Sequence, residues 1–158
     1  MWTLARTRLQ GGFSLLELVC ALGLVSVLLS IAVPAVSANL PQLLLDQAAR
    51  RLASEIELTR LKAVSRNARA RVVIELGQAA YRVEVESESR FEAEGSERAL
   101  PGSVVFDAAS STRVAGGRIS ITFLPRGHTS DNATIVMAAG SSSRRRVIVS
   151  SAGRVRIE

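Results

Sequence analysis

The chain is poor in the residues from which most reactive sites are built: one cysteine, one histidine, one tryptophan and one tyrosine among 158 residues. A disulfide framework, or a metal site needing several thiolate or imidazole ligands, cannot be made within one such chain. Aromatic residues make up only 4%, which leaves few rings for stacking on nucleic-acid bases. Lysine is scarce too, since 19 of the 20 basic residues are arginine, and against 14 acidic residues the net charge is +6. That balance suits an anionic partner or surface. What is plentiful is apolar: 47% hydrophobic and 22% charged residues exclude collagen-like repetition and wholesale disorder, and the length is that of about one domain.

The apolar excess is concentrated between Phe13 and Val36, a run whose one charge is Glu17. As a helix rising about 1.5 Å per residue it reaches roughly 36 Å, enough to cross a hydrocarbon core of about 30 Å. Arg6 and Arg8 precede the run without an acid, and the first charge beyond it is Asp46, so the N-terminus is expected in the cytoplasm and the rest of the chain outside. Glu17 is costly in such a span and needs a cationic partner. No Lys or Arg lies within the run, but a cut between Gly12 and Phe13 creates an α-amino group beside it, and in a polymer a neighbouring subunit's amine comes into reach. The competing expectation is a secretory signal peptide cut after Val36-Ser37-Ala38, with a soluble product beginning at Asn39. Against it stand the length of the run and the internal glutamate, because signal cores span about 7 to 15 residues.

The segment Gly12-Phe13-Ser14-Leu15-Leu16-Glu17-Leu18 resembles the cleavage motif of type IV pilins and type II secretion pseudopilins. The resemblance implies that prepilin peptidase removes a basic leader, residues 1–12, after Gly12, that Phe13 becomes the N-methylated first residue, and that Glu17 sets subunit register in a filament. Pro34 falls where family members often carry a helix-bending proline, in keeping with its missing backbone donor.

Beyond Pro41, Leu45, Ala49, Leu52, Ile56, Thr59 and Ala63 recur at helical spacing, giving one apolar face that must cover something. Asp46 and Arg50 stand in the favourable order for an i,i+4 pair, and the helix is expected to fade near Asn67. From Arg71 the period falls to two. Strands are expected over 71–76, 81–86, 104–106, 119–123, 133–137, 146–149 and 154–157. The expected architecture is α+β, a long N-terminal helix packed on antiparallel sheet. Its segments are a membrane-embedded helix over 13–36, an amphipathic continuation over 37–70 and a β-rich domain over 71–158. Ile121-Thr122-Phe123-Leu124-Pro125-Arg126-Gly127, followed by an arginine-rich strand and Gly153-Arg154-Val155-Arg156, is similar to the GspH/FimT family of minor pseudopilins and minor pilins. That resemblance implies a type IV pilin-like fold and a low-abundance subunit near a filament tip. The implied partners are other pilins or pseudopilins, prepilin peptidase and an inner-membrane assembly platform; no cofactor, metal or catalysis is implied.

Other features admit other readings. His128 with Asp131 is a conceivable acid–base pair, but both lie in one loop and no motif supplies a nucleophile. Cys20 reads as a small apolar filler of the membrane run, and Asn132-Ala133-Thr134 as a chance glycosylation pattern. Charge falls in blocks, net +4 over 43–71, −5 over 72–97 and +6 over 98–158, which permits head-to-tail pairing of subunits. For the acidic stretch 87–97 a plain solvated surface is the preferred reading. In the basic tail, Arg144, Arg145, Arg146, Arg154 and Arg156 flank an expected hairpin. They present either a phosphate grip, as the resemblance to DNA-binding FimT proteins implies, or an edge strand guarded by charge. The resemblance thus implies a minor pseudopilin of a type II secretion system, with a FimT-like type IV minor pilin as the alternative.

Overall fold

A computed structural model describes residues 14–130, 132–140 and 143–158. It divides into two compact units, Met1–Ala38 and Asn39–Glu158, and one helix, α1 (Leu15–Ser65), contributes to both.

In the N-terminal unit, Ser14 caps α1. Its hydroxyl oxygen accepts from the Leu16 N–H at 3.2 Å and its carbonyl from the Leu18 N–H at 3.1 Å, satisfying donors that a helix start leaves open. Glu17 stands in the first turn, where the helix dipole favours an acid. From Leu15 to Pro34 the mean hydropathy is 2.5 and nothing in that window is buried, so the segment is long and apolar enough to cross a membrane. The hydroxyls in it and just after it are satisfied locally: Ser26, Ser30 and Ser37 donate to the carbonyls of Gly23, Val27 and Pro34 at 2.8, 2.7 and 3.0 Å. Pro34 and Pro41 lie inside α1 and end it at neither point, although each removes a ladder donor.

In the second unit the expected face is the buried one. Leu45, Ala49, Leu52, Ile56, Thr59 and Ala63 are all fully buried. Glu55 is buried beside them, where it meets Arg98. The carboxylate of Asp46 is met by Arg145 Nε at 2.6 Å, across the fold, in place of the expected pair with Arg50. The helix stops through its backbone. Asn67 takes φ +48°, the Ala68 N–H reaches the Ala63 carbonyl at 3.2 Å and the Asn67 N–H reaches Val64 at 3.3 Å, the 6→1 and 5→2 bonds of a Schellman stop.

Among the described residues nine strands follow: β1 (Ala70–Glu75), β2 (Ala80–Ser87), β3 (Arg90–Ala93), β4 (Arg98–Ala99), β5 (Val104–Phe106), β6 (Arg118–Phe123), β7 (Ala133–Ala139), β8 (Ser143–Val149) and β9 (Val155–Ile157). They form two antiparallel sheets, one in the order β3-β2-β1-β6 with β4 also on β2, the other in the order β5-β7-β8-β9. Alternation sends Ile119, Ile121 and Phe123 inward, with Val72 and Ile74 of β1 and Ile135, Met137, Val147 and Val149 of the second sheet. All join the helix face in one hydrophobic core. β3 and β4 are additions to the expected set; β3 falls in the stretch 87–97, which read as solvated surface, and β4 is a two-residue strand just beyond it. Phe91 explains part of the difference: it pairs with Glu86 in the β2–β3 ladder, and its ring sits 3.9 Å from the Arg71 guanidinium carbon, so the edge strand has a packing anchor.

The two sheets are tied together where the Phe-Leu-Pro-Arg-Gly segment ends β6. The Thr129 N–H donates to the Ser151 carbonyl at 2.9 Å, and Arg60 Nε of α1 donates to the Gly127 carbonyl at 2.8 Å. Gly127 and Gly153 both hold positive φ, +80° and +76°. A Cβ at Gly153 would land against the Gly127 carbonyl and 3.0 Å from Arg60 Nε. Two glycines, one from each of the softer motifs, therefore serve a single close approach. Gly153→Ala is expected to destabilise the fold by about 2–3 kcal/mol, more than Gly140→Ala, which meets the same backbone strain at φ +67° in open space. Chemical denaturation of the full chain in detergent checks the difference, and equal losses would remove the junction from this account.

Candidate functional site

Three surfaces carry the residues that sequence reasoning singled out. On the N-terminal stem, Gly12 and Phe13 lie outside the described residues, Glu17 is exposed in the first helical turn, and Cys20 is exposed within the apolar stretch. Leu15, Leu16, Leu22, Leu24 and Leu28 are all more than 60% exposed. None of the described residues covers them, and apolar surface of this extent calls for lipid or another protein around it.

The outer face of the first sheet holds an alternating chain of charge. Arg118 Nε donates to Glu75 Oε2 at 2.7 Å, Arg82 Nη1 to Glu75 Oε1 at 3.0 Å, Arg82 Nε to Glu84 Oε1 at 2.7 Å and Arg71 Nε to Glu84 Oε2 at 2.6 Å. Arg69 Nε meets Glu86 Oε2 at 2.7 Å, while Lys62 and Arg66 share Glu94 at 3.4 and 2.8 Å. Register builds this row, because Arg71 stands opposite Glu84 and Glu75 opposite Arg118. Burial pushes the Glu84 carboxyl up, but hydrogen bonds from Arg82 and Arg71 outweigh it and hold the group below its ordinary value. The Arg118 hydrogen bond does the same for Glu75 against its own desolvation. Much of the acidic middle block is thus neutralised by arginines of its own sheet and by Lys62 and Arg66 at the end of α1. Head-to-tail pairing with the basic tail of another copy, permitted by the block charges, loses four of its seven carboxylates: Glu75, Glu84, Glu86 and Glu94.

The second sheet carries the basic tail, and the five arginines do not share one face. Arg145 alternates onto the inner side with Val147 and is taken up by Asp46. Arg144 and Arg146 are exposed on the outer side, where register sets Ile148 opposite Arg156. Arg154, exposed, precedes β9 as its carbonyl accepts from the Ser150 N–H at 3.0 Å, closing the expected hairpin. Arg144 Nη1 stands 3.7 Å from Asp107 Oδ2. Among the described residues Arg146, Arg154 and Arg156 have no ion-pair partner. With Ser110, Val136 and Glu158, Arg144 and Arg146 line a shallow depression of about 350 Å³.

His128 is exposed, its carbonyl accepting from the Leu124 N–H at 2.9 Å, and Asp131 lies outside the described residues. Among the described residues no three His, Cys, Asp or Glu side chains are grouped as metal ligands.

A membrane-competent N-terminal helix, continued as the cover of two antiparallel sheets, is the arrangement against which known proteins can be compared. The model of the type II transport protein GspH matches residues 48–153, and that of the prokaryotic N-terminal methylation motif matches residues 7–33. The chain belongs to the GspH family. It is 35% identical over 157 residues to the pilin-like protein PilA1 of Thermus thermophilus, spanning 93% of this chain and 97% of that one. Its fold is that of the minor pseudopilin EpsH from the type II secretion system of Vibrio cholerae, with a TM-score of 0.60 at 10% identity over 74% of this chain and 97% of that one. The type IV minor pilin FimU of Pseudomonas aeruginosa matches with a TM-score of 0.57 at 18% identity, over 72% and 87%. The chain is therefore a pilin-like protein of that family, whose members are structural subunits and not enzymes.

The charge row was invisible to a reading by blocks, although the alternation Arg82-Val83-Glu84-Val85-Glu86 opposite Arg71 carried its signal. Glu84 and Glu75 titrate lower in the folded state, so the stability they contribute is complete above the ordinary glutamate value of about 4.3 and is lost as pH falls through the lower folded values. The urea midpoint is expected to hold above about pH 5 and to drop below about pH 4. Glu84→Gln should lower stability by about 1 kcal/mol at neutral pH and flatten that drop, as unfolding at a series of pH values will read.

Proposed function

We propose that the chain is a minor pseudopilin of a type II secretion system, a subunit of the tip region of a periplasmic pseudopilus that helps export folded proteins. The carrying observation is the union of two modules in one chain: the methylation motif over residues 7–33 and the GspH match over residues 48–153. In this reading prepilin peptidase cuts after Gly12, Phe13 becomes the methylated N-terminus, and the stem sits in the inner membrane with the sheets on the periplasmic side. An assembly platform then draws the stem into the filament among other pseudopilins. Glu17 fixes register by pairing with the α-amino group of a neighbouring subunit, an ion pair whose worth rises as lipid and protein exclude water. Pro34 supplies a bend in the stem.

The likeness to PilA1 and to FimU favours a second reading, a minor pilin of a type IV pilus that supports pilus assembly or binds DNA through Arg144, Arg146, Arg154 and Arg156. Deleting the gene separates the two: lost exoprotein secretion supports the first, lost twitching or transformation the second. Both share the stem chemistry. N-terminal sequencing of the mature protein should begin at Phe13, and Asn39 in its place would overturn both. Glu17→Ala should reach the membrane and lose its leader but fail to enter filaments, while Gly12→Val should keep the leader. Normal incorporation of Glu17→Ala would end the pairing argument.

A further inference from the structure

β9 ends the second sheet, and among the described residues its hydrogen-bonding pattern leaves one side open. Arg146 and Glu158 exchange both backbone bonds, at 2.8 and 2.9 Å, and the Ser150 N–H reaches the Arg154 carbonyl. Antiparallel pairs alternate between bonded and non-bonded, so with Ile148 opposite Arg156 the non-bonded positions are Val155 and Ile157. Their N–H and C=O groups point away from β8. Side chains sort just as regularly. Val155 and Ile157 follow Val149 and Val147 on the inner face, Val155 packing against the core while Ile157 is left 42% exposed at the rim. Arg156 follows Ile148 on the outer face, and Arg154 and Arg156 carry charge that no described carboxylate meets.

We propose that the free edge of β9 docks an extended, acid-bearing polypeptide segment of another protein, which adds to the second sheet as a further strand. Its backbone bonds Val155 and Ile157, its outward side chains bring carboxylates beside Arg154 and Arg156, and its inward side chains cover Ile157. Strand addition takes affinity from main-chain bonds and selectivity from alternate side chains. Charge selects the occupant. A second copy of β9 would set Arg154 and Arg156 against their own like, which cross-strand pairing disfavours. A nucleic-acid backbone would answer the arginines but leave the open N–H groups and Ile157 unused, and would meet Glu158 beside Arg146. β9 holds such a strand in a secretion or a pilus assembly alike, so a failed titration leaves the stem-based reading standing.

The test is a titration of the full chain in non-ionic detergent with a fluorescent, end-blocked peptide of about eight alternating Glu and Val residues. The peptide should bind and slow hydrogen exchange at the Val155 and Ile157 amides, whereas a Lys–Val peptide should not. Ile157→Pro removes an edge donor that makes no bond to β8, a place where proline is tolerated, and should weaken binding roughly tenfold. Arg154→Glu with Arg156→Glu should weaken it at least as much and admit the Lys–Val peptide. The proposal is overturned by no binding, by binding indifferent to both variants, by unaltered exchange at the two amides, or by a short DNA duplex that outcompetes the peptide at the same arginines.

Discussion

The guanidinium of Arg60 sits where three parts of the second unit converge. Its Nε reaches the Gly127 carbonyl while Gly153 packs against both. α1 brings the arginine, the end of β6 brings Gly127 and the β8–β9 turn brings Gly153, so one hydrogen bond ties the helix to the first sheet and the close packing of Gly153 on it brings in the second. Because the contact leaves no room for a Cβ at Gly153, the sheets cannot slide past one another without breaking it. Everything the outer faces present follows from that constraint: a strand pinned at its turn has its alternation fixed, and a slip of one residue would exchange inner and outer side chains.

Fixed alternation divides the protein's charge into two kinds. On the first sheet, arginine and glutamate answer one another along Arg118, Glu75, Arg82, Glu84 and Arg71, and the face is internally settled. On the second, Arg145 turns inward to Asp46, leaving Arg144, Arg146, Arg154 and Arg156 outward. Positive charge that no described carboxylate meets is therefore displayed where the sheet also ends in an open strand. Like charges that repel each other along one edge raise the energy of the isolated subunit slightly and lower the cost of meeting an anionic partner.

Periodicity made the helix face legible in full, since Leu45 through Ala63 repeat as only a helix with one dry side repeats. It also gave most strands, because Ile119, Ile121 and Phe123 alternate with Arg118, Ser120 and Thr122. What it did not carry were contacts between distant segments. Asp46 looked like the partner of Arg50, since local spacing is all a sequence displays, yet it found Arg145, far along the chain in β8. β3 escaped because four largely exposed residues among acids have no apolar period, and its anchor, Phe91 over Arg71, depends on a register that only the folded hairpin defines. The two glycine motifs were visible as motifs, but that Gly127 and Gly153 serve one contact required both turns in place.

The two units stand in opposite relation to their surroundings. From Asn39 onward the apolar residues are largely covered by the chain itself, in one core shared by a helix and two sheets. From Leu15 to Pro34 none of that hydropathic window is covered at all. At roughly 25 cal/mol per Å² of apolar surface, leaving about twenty such residues in water would cost tens of kcal/mol, several times the roughly 5–15 kcal/mol by which a domain is stable. Such a stem calls for enclosure by lipid or by protein, and in the proposed reading a move from lipid to the stems of other subunits changes little in hydrophobic energy. In that reading the polar term decides between them: Glu17, in the first turn of the stem, is poorly served by lipid and well served by any neighbour that brings a cation to it.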